Sequence, residues 1–201
     1  VLGFDARATS PDLAKAVTLG ICDAGSDVLE IGLAGTEEMY AAVSEFSADA
    51  GIEITASHNP INYNGMKIVK NHSQPLSEKE FANIKYLTEE NNFILSQRIG
   101  TTLDKQKEAR EAYINKILGF VELADLKPMK IVINSGNGAA GPTIDALNRK
   151  LEEKGVNTNF IYINHEPDSS FPNGIPNPLL KKNRSVTADV VKYEKADFGV
   201  A

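Results

Sequence analysis

Four side chains able to do chemistry fall close together in this chain. A hydroxyl, an imidazole, an amide and an ammonium group sit at Ser57, His58, Asn59 and Lys67, in Thr55-Ala56-Ser57-His58-Asn59-Pro60 and Asn64-Gly65-Met66-Lys67. A neutral serine hydroxyl is a weak nucleophile and needs an activating partner. Histidine exchanges protons near neutral pH, and a fixed lysine supplies positive charge. Arg7, in Gly3-Phe4-Asp5-Ala6-Arg7, is a further cation. Each has a plainer reading. Ser57 fits a turn before a proline, His58 a turn histidine, and Lys67 a solvated lysine. Arg7 either braces the Ser57 loop or only pairs with Asp5.

The elements around these residues favour a site. Gly51 to Thr55 reads as a strand, so Ser57 lies where a strand gives way to a loop ended by Pro60. In open α/β sheets that crevice is the usual position of a site. Met66-Lys67-Ile68-Val69 reads as a strand that returns antiparallel across the loop. Upstream, Val1 to Asp5 and Val28 to Gly32 are strands. Ser10-Pro11 starts a helix with Leu13, Ala16, Val17 and Ile21 inward. Thr36 caps a helix carrying Met39, Tyr40, Val43 and Phe46, and Ser77 with Glu80 forms a capping box before Phe81, Ile84 and Leu87.

Periodicity fades from about residue 91 to 102, where a linker is expected. Beyond it come a charged helix over 104–118, a strand at Lys130 to Ile133, a helix after Pro142 and a strand at Asn159 to Ile163. A long loop rich in proline, 164–180, leads to a last helix and a strand at Phe198 to Ala201. Strands alternating with helices predict α/β layering. The expected architecture is two related three-layer α/β domains with mixed, mainly parallel sheets, over 1–98 and 104–201.

The stretch from Thr55 to Lys67 resembles the phosphoserine loop of the α-D-phosphohexomutases. Gly35-Thr36-Glu37-Glu38, Ser135-Gly136-Asn137-Gly138-Ala139-Ala140-Gly141 and Phe171-Pro172-Asn173-Gly174 are similar to the bacterial phosphomannomutase branch of that family. The resemblance implies that Ser57 carries a phosphoryl group and passes it to a phosphorylated hexose, interconverting mannose 1- and 6-phosphates. Phosphoglucomutase activity is the alternative. It implies catalytic roles for Ser57, His58 and Lys67, and support of the loop by Arg7, Thr55 and Asn59. It also implies Mg²⁺, bound through the phosphoryl group on Ser57 and through an aspartate loop that the family has beyond the point where this sequence stops. The chain is therefore expected to be the first two of four domains and to be inactive by itself.

One segment competes with this reading. Gly136-Asn137-Gly138-Ala139-Ala140-Gly141 fits G-x-G-x-x-G after a strand and before a helix, with Glu166 and Asp168 downstream. By pattern this is a dinucleotide-binding hypothesis; a non-catalytic relic domain is its companion. Pro142 directly after the third glycine and the late acidic residues weaken it. A tight strand-to-helix turn also needs glycines without any ligand.

Composition narrows the partners. Of 201 residues, 42% are hydrophobic and 24% charged, as in ordinary globular proteins. The net charge of −6 argues against nucleic acid or an anionic membrane as partner. The single cysteine, Cys22, allows no internal disulfide and fits a reducing compartment. No run reaches the ~20 apolar residues of a membrane helix, and no signal peptide precedes the first strand, so a cytoplasmic location is expected.

Overall fold

The computed structural model describes residues 1–93 and 96–201. Strands β1 (Leu2–Phe4), β2 (Val28–Leu33), β3 (Ala50–Ile54), β4 (Met66–Lys70) and β5 (Thr102–Asp104) form one sheet in the order β4-β3-β1-β2-β5. All its pairings are parallel except β3 with β4, which run antiparallel with Glu53 opposite Lys67. The expected return strand is therefore present, and Ser57 lies in the loop it closes.

Helix α1 (Ser10–Asp23) covers one face of this sheet and α2 (Thr36–Glu45) the other. The alternation of side chains along β3 makes this visible. Ile52 and Ile54 pack in the α1 cluster with Leu2, Ala14, Cys22 and Val28. Gly51 meets Met39 and Val43 of α2 instead, beside Ile31, Ala42 and Val69. Three layers result, as expected.

The second sheet holds β6 (Lys130–Asn134), β7 (Asn159–Ile163) and β8 (Phe198–Val200) in the order β7-β6-β8, all parallel. Helix α6 (Lys181–Glu194) packs on β6 and β8. Helices α4 (Gln106–Leu118) and α5 (Ala140–Glu153) lie against each other, and α4 also packs on α2.

Several local expectations are corrected. The linker reading misses β5, a three-residue strand that pairs with β2 and extends the first sheet; residues 94–95 of that stretch lie outside the described residues. Ser10 is not the cap of α1: the cap position is Thr9, and the Ser10 hydroxyl bonds Asp5. The buried stripe of α1 runs through Ala14, Thr18 and Cys22, leaving Ala16 exposed. Gly35 occupies the cap position of α2, one residue before Thr36. The capping box of α3 (Glu78–Glu89) is formed between Ser77 and Glu80, yet Phe81 and Ile84 are 60% and 40% exposed rather than core. In α4 the inward residues are Ala109 and Ile114, and Arg110 leaves the charged face to enter the protein.

Candidate active site

The Ser57 loop is built around a buried arginine. Arg7 is 2% exposed, and its guanidinium donates to four backbone carbonyls of the loop. Nη1 bonds the oxygens of Pro60 and Tyr63 at 2.9 and 3.0 Å. Nη2 bonds those of Ser57 and Asn59 at 2.9 and 2.7 Å. Nε lies 3.3 Å from Asp5 Oδ2, near enough for charge attraction but not aligned as a hydrogen bond. Arg7 therefore bonds the loop and does not only pair with Asp5. The four terminal N–H donors of its guanidinium are taken up by carbonyls. A planar fork suits this task in a way an ammonium cannot.

The other loop residues finish the brace. Thr55 Oγ1 accepts from the Ser57 amide at 2.9 Å, and Asn59 Nδ2 donates to the Ala56 carbonyl at 2.9 Å. At the far end, Asn64 Nδ2 donates to Thr9 Oγ1 and Ser10 Oγ, each at 2.9 Å. Thus held, Ser57 takes φ 53°, the left-handed region. That conformation costs a residue other than glycine on the order of 1 kcal/mol and persists only where the surroundings over-determine it. Ser57 itself is exposed. Ser57 is thus an exposed serine on a braced, left-handed turn beyond a strand's carboxyl end.

Lys67 and His58 diverge from this unit. Lys67 stands opposite Glu53 on β4, and its Nζ donates to Thr36 Oγ1 at 3.2 Å, at the start of α2. It lies one strand pairing away from the loop as an exposed cation. The His58 ring reaches across to the second sheet's side, where Nδ1 bonds the Pro176 carbonyl.

Two buried acids were absent from the sequence reading. Glu53, two residues before Thr55, is 1% exposed and neither carboxyl oxygen has a hydrogen-bond partner. Burial pushes its pKa up to about 9, with Asp5, Glu38 and Glu37 adding to the rise and Lys67 opposing it. Gly3 of β1 makes room for it, since a Cβ there would lie 2.4 Å from Glu53 Oε2. Glu38, also 1% exposed, joins three helices: it accepts from Arg110 of α4 at 3.0 Å and Thr143 of α5 at 3.0 Å. Burial raises its pKa, partly offset by Arg110. The available signal was a glutamate inside an otherwise apolar strand next to a strand interrupted by glycine.

The glycine-rich loop is filled by the protein itself. Pro176 lies over Gly136, where a Cβ would approach its side chain to 2.4 Å, and a Cβ on Gly141 would lie 2.1 Å from the His165 carbonyl oxygen. The amides of Gly136, Asn137 and Gly138 donate to Asn134 Oδ1 and to the carbonyls of Asn164 and Ser135. A dinucleotide pyrophosphate needs that space and those donors. The loop is a structural turn.

As to metal, the described residues contain no group of three or more histidine, cysteine, aspartate or glutamate side chains placed to hold an ion.

Known proteins resemble this chain over both of its sheets. Residues 1–95 match the family model described as phosphoglucomutase/phosphomannomutase, alpha/beta/alpha domain I, and residues 111–201 match domain II of the same description. A phosphomannomutase of Escherichia coli is 47% identical over all of this chain, and one of Vibrio cholerae serotype O1 is 45% identical. The chain spans 44% and 43% of those two relatives' lengths. Among solved structures, a phosphoglucomutase/phosphomannomutase family protein from Burkholderia thailandensis superposes with a TM-score of 0.85 at 26% identity. That match covers 100% of this chain and 43% of the other.

Proposed function

We propose that this chain, which belongs to the phosphoglucomutase/phosphomannomutase family, carries the phosphoryl-transferring serine of a phosphomannomutase. The observation that supports this most is Ser57, exposed and left-handed on a loop that Arg7 clamps through four carbonyls. In the proposed reaction, Ser57 starts as phosphoserine. The bond from phosphorus to Ser57 Oγ breaks as one forms to the 6-oxygen of mannose 1-phosphate, whose hydroxyl proton passes to a base. His58 is the proposed base. The bisphosphate then turns over in the site, and its 1-phosphoryl group returns to Ser57 Oγ, leaving mannose 6-phosphate. Phosphoryl transfer of this kind depends on positioning and charge neutralisation. Lys67 is the proposed cation for the moving group, released from Thr36 to reach it.

The family is in general metal-dependent. We assign Mg²⁺ to the whole protein, with phospho-Ser57 as the ligand from this chain; the described residues hold no group of three or more histidine, cysteine, aspartate or glutamate side chains placed to bind an ion. Bound there, the ion would supply electrostatic neutralisation of the phosphoryl oxygens. The substrates are phosphorylated hexoses, and the proposed compartment is the cytoplasm. No helix among the described residues is long and apolar enough to cross a membrane. The division into domains over 1–98 and 104–201 is also proposed; two separate sheets support it, while β5, Thr102–Asp104, pairs in the first sheet beyond residue 98.

The full-length protein, primed with a hexose 1,6-bisphosphate and Mg²⁺, should interconvert mannose 1- and 6-phosphates. Absence of turnover on both the mannose and the glucose phosphates would refute the mutase reading.

A further inference from the structure

We infer that the loop over 164–180, from the second sheet's side, is part of the catalytic machinery: the Pro176 carbonyl fixes which nitrogen of His58 bears its proton. This rests on the mutase reading and adds a positioning group to it.

His58 belongs to the Ser57 loop, and its Nδ1 bonds the carbonyl of Pro176, 118 positions away. A carbonyl has only lone pairs to offer, so Nδ1 must carry the proton. In a neutral imidazole the other nitrogen, Nε2, then holds the lone pair. That is the state a base needs to take a hydroxyl proton during phosphoryl transfer. The same logic governs histidines whose second nitrogen is oriented by a carbonyl or carboxylate.

Pro176 is a firm anchor because its loop is bonded to the glycine-rich turn. Asn137 Nδ2 donates to the Glu166 carbonyl at 2.9 Å, and the Asp168 amide donates to the Asn137 carbonyl at 2.9 Å. Asn173 Nδ2 bonds both Asn137 Oδ1 and Asn164 Oδ1 at 2.9 Å. Pro176 itself rests on the bare Cα of Gly136, where no Cβ would fit. The glycine that suggested a nucleotide instead seats the residue that orients His58.

The test is ring-nitrogen NMR and steady-state kinetics on the full-length protein, with His58→Asn to assign the His58 signals. Wild type should show His58 protonated at Nδ1 near neutral pH. Gly136→Ala displaces Pro176, and Asn173→Ala, at an exposed position, loosens the loop should the first variant fold poorly. In a folded variant the proton should shift toward Nε2 and kcat should fall roughly tenfold or more, within the range of general-base effects, with KM little changed. A wild-type ring protonated at Nε2 overturns the inference, as does a shifted tautomer with unchanged kcat. Wild-type protein without any turnover refutes the mutase reading instead, whatever its tautomer.

Discussion

At the scale of single residues, a serine loop and a buried acid sit back to back on β3 and can be tested apart. Arg7→Lys keeps a positive charge but loses the fork, leaving loop carbonyls without donors. A lower melting temperature and reduced activity are expected; unchanged thermal melts would remove the bracing role. Lys67→Ala should lower kcat by ~10²–10³ and change KM little, because the ammonium acts mainly on the transition state. Near wild-type kcat in the folded variant would return Lys67 to the role of a surface lysine. Glu53 affects stability rather than turnover. Its folded pKa of about 9 lies above the ordinary 4.5. Between those values the folded state keeps a proton that the unfolded state has lost, so stability falls as pH rises, by up to about 1.4 kcal/mol per pH unit. Glu53→Gln removes this slope. Urea midpoints at pH 5 and pH 8 should therefore diverge less in the variant than in wild type; parallel changes would contradict an uncharged Glu53. The loop that carries Thr55, Ser57 and Asn59 was legible in the sequence because strand end and turn are local; its brace by Arg7, some 50 positions away, was left open. The partner of His58 was not, because it lies 118 positions away, and the burial of Glu53 was not, because no periodicity encodes an orphaned acid.

At the scale of elements, the two loops differ in what fills them. The Ser57 loop wraps around a side chain and leaves its serine outside. The Gly136 turn is occupied by Pro176 and by the backbone of His165. Titration with NAD should accordingly give no saturable binding, and saturable binding at Gly136 to Gly141 would overturn the structural account of that turn. Gly141→Ala forces a Cβ against a backbone carbonyl that cannot rotate away, so a loss of stability of about 1–3 kcal/mol is expected from overpacking; an unchanged unfolding midpoint would contradict it. Elements with strong patterns were readable: the antiparallel return of β4, the capping box of α3 and the alternation of strands and helices. β5 was missed because three residues carry no period. The apolar positions of α3 were misassigned because helical spacing says which residues share a face, not whether anything covers it.

At the scale of the whole molecule, the two sheets meet through few but specific links. Glu38 ties α2 to α4 and α5 through Arg110 and Thr143, and His58 ties the serine loop to Pro176. The 201-residue chain should fold by itself, with two sheets each backed by helices, and should lack mutase activity, since it spans only 44% of the length of its Escherichia coli relative. Turnover by the purified chain, free of host mutase, would contradict this. The central claim is narrower still: Ser57 is the residue that carries the phosphoryl group. Incubation of the full-length protein with a hexose 1,6-bisphosphate, followed by intact-mass measurement and peptide mapping, tests it directly. One phosphoryl group on Ser57, with Ser57→Ala unlabelled and inactive, is the expected result. Label on another residue, with Ser57→Ala turning over normally, would contradict the account.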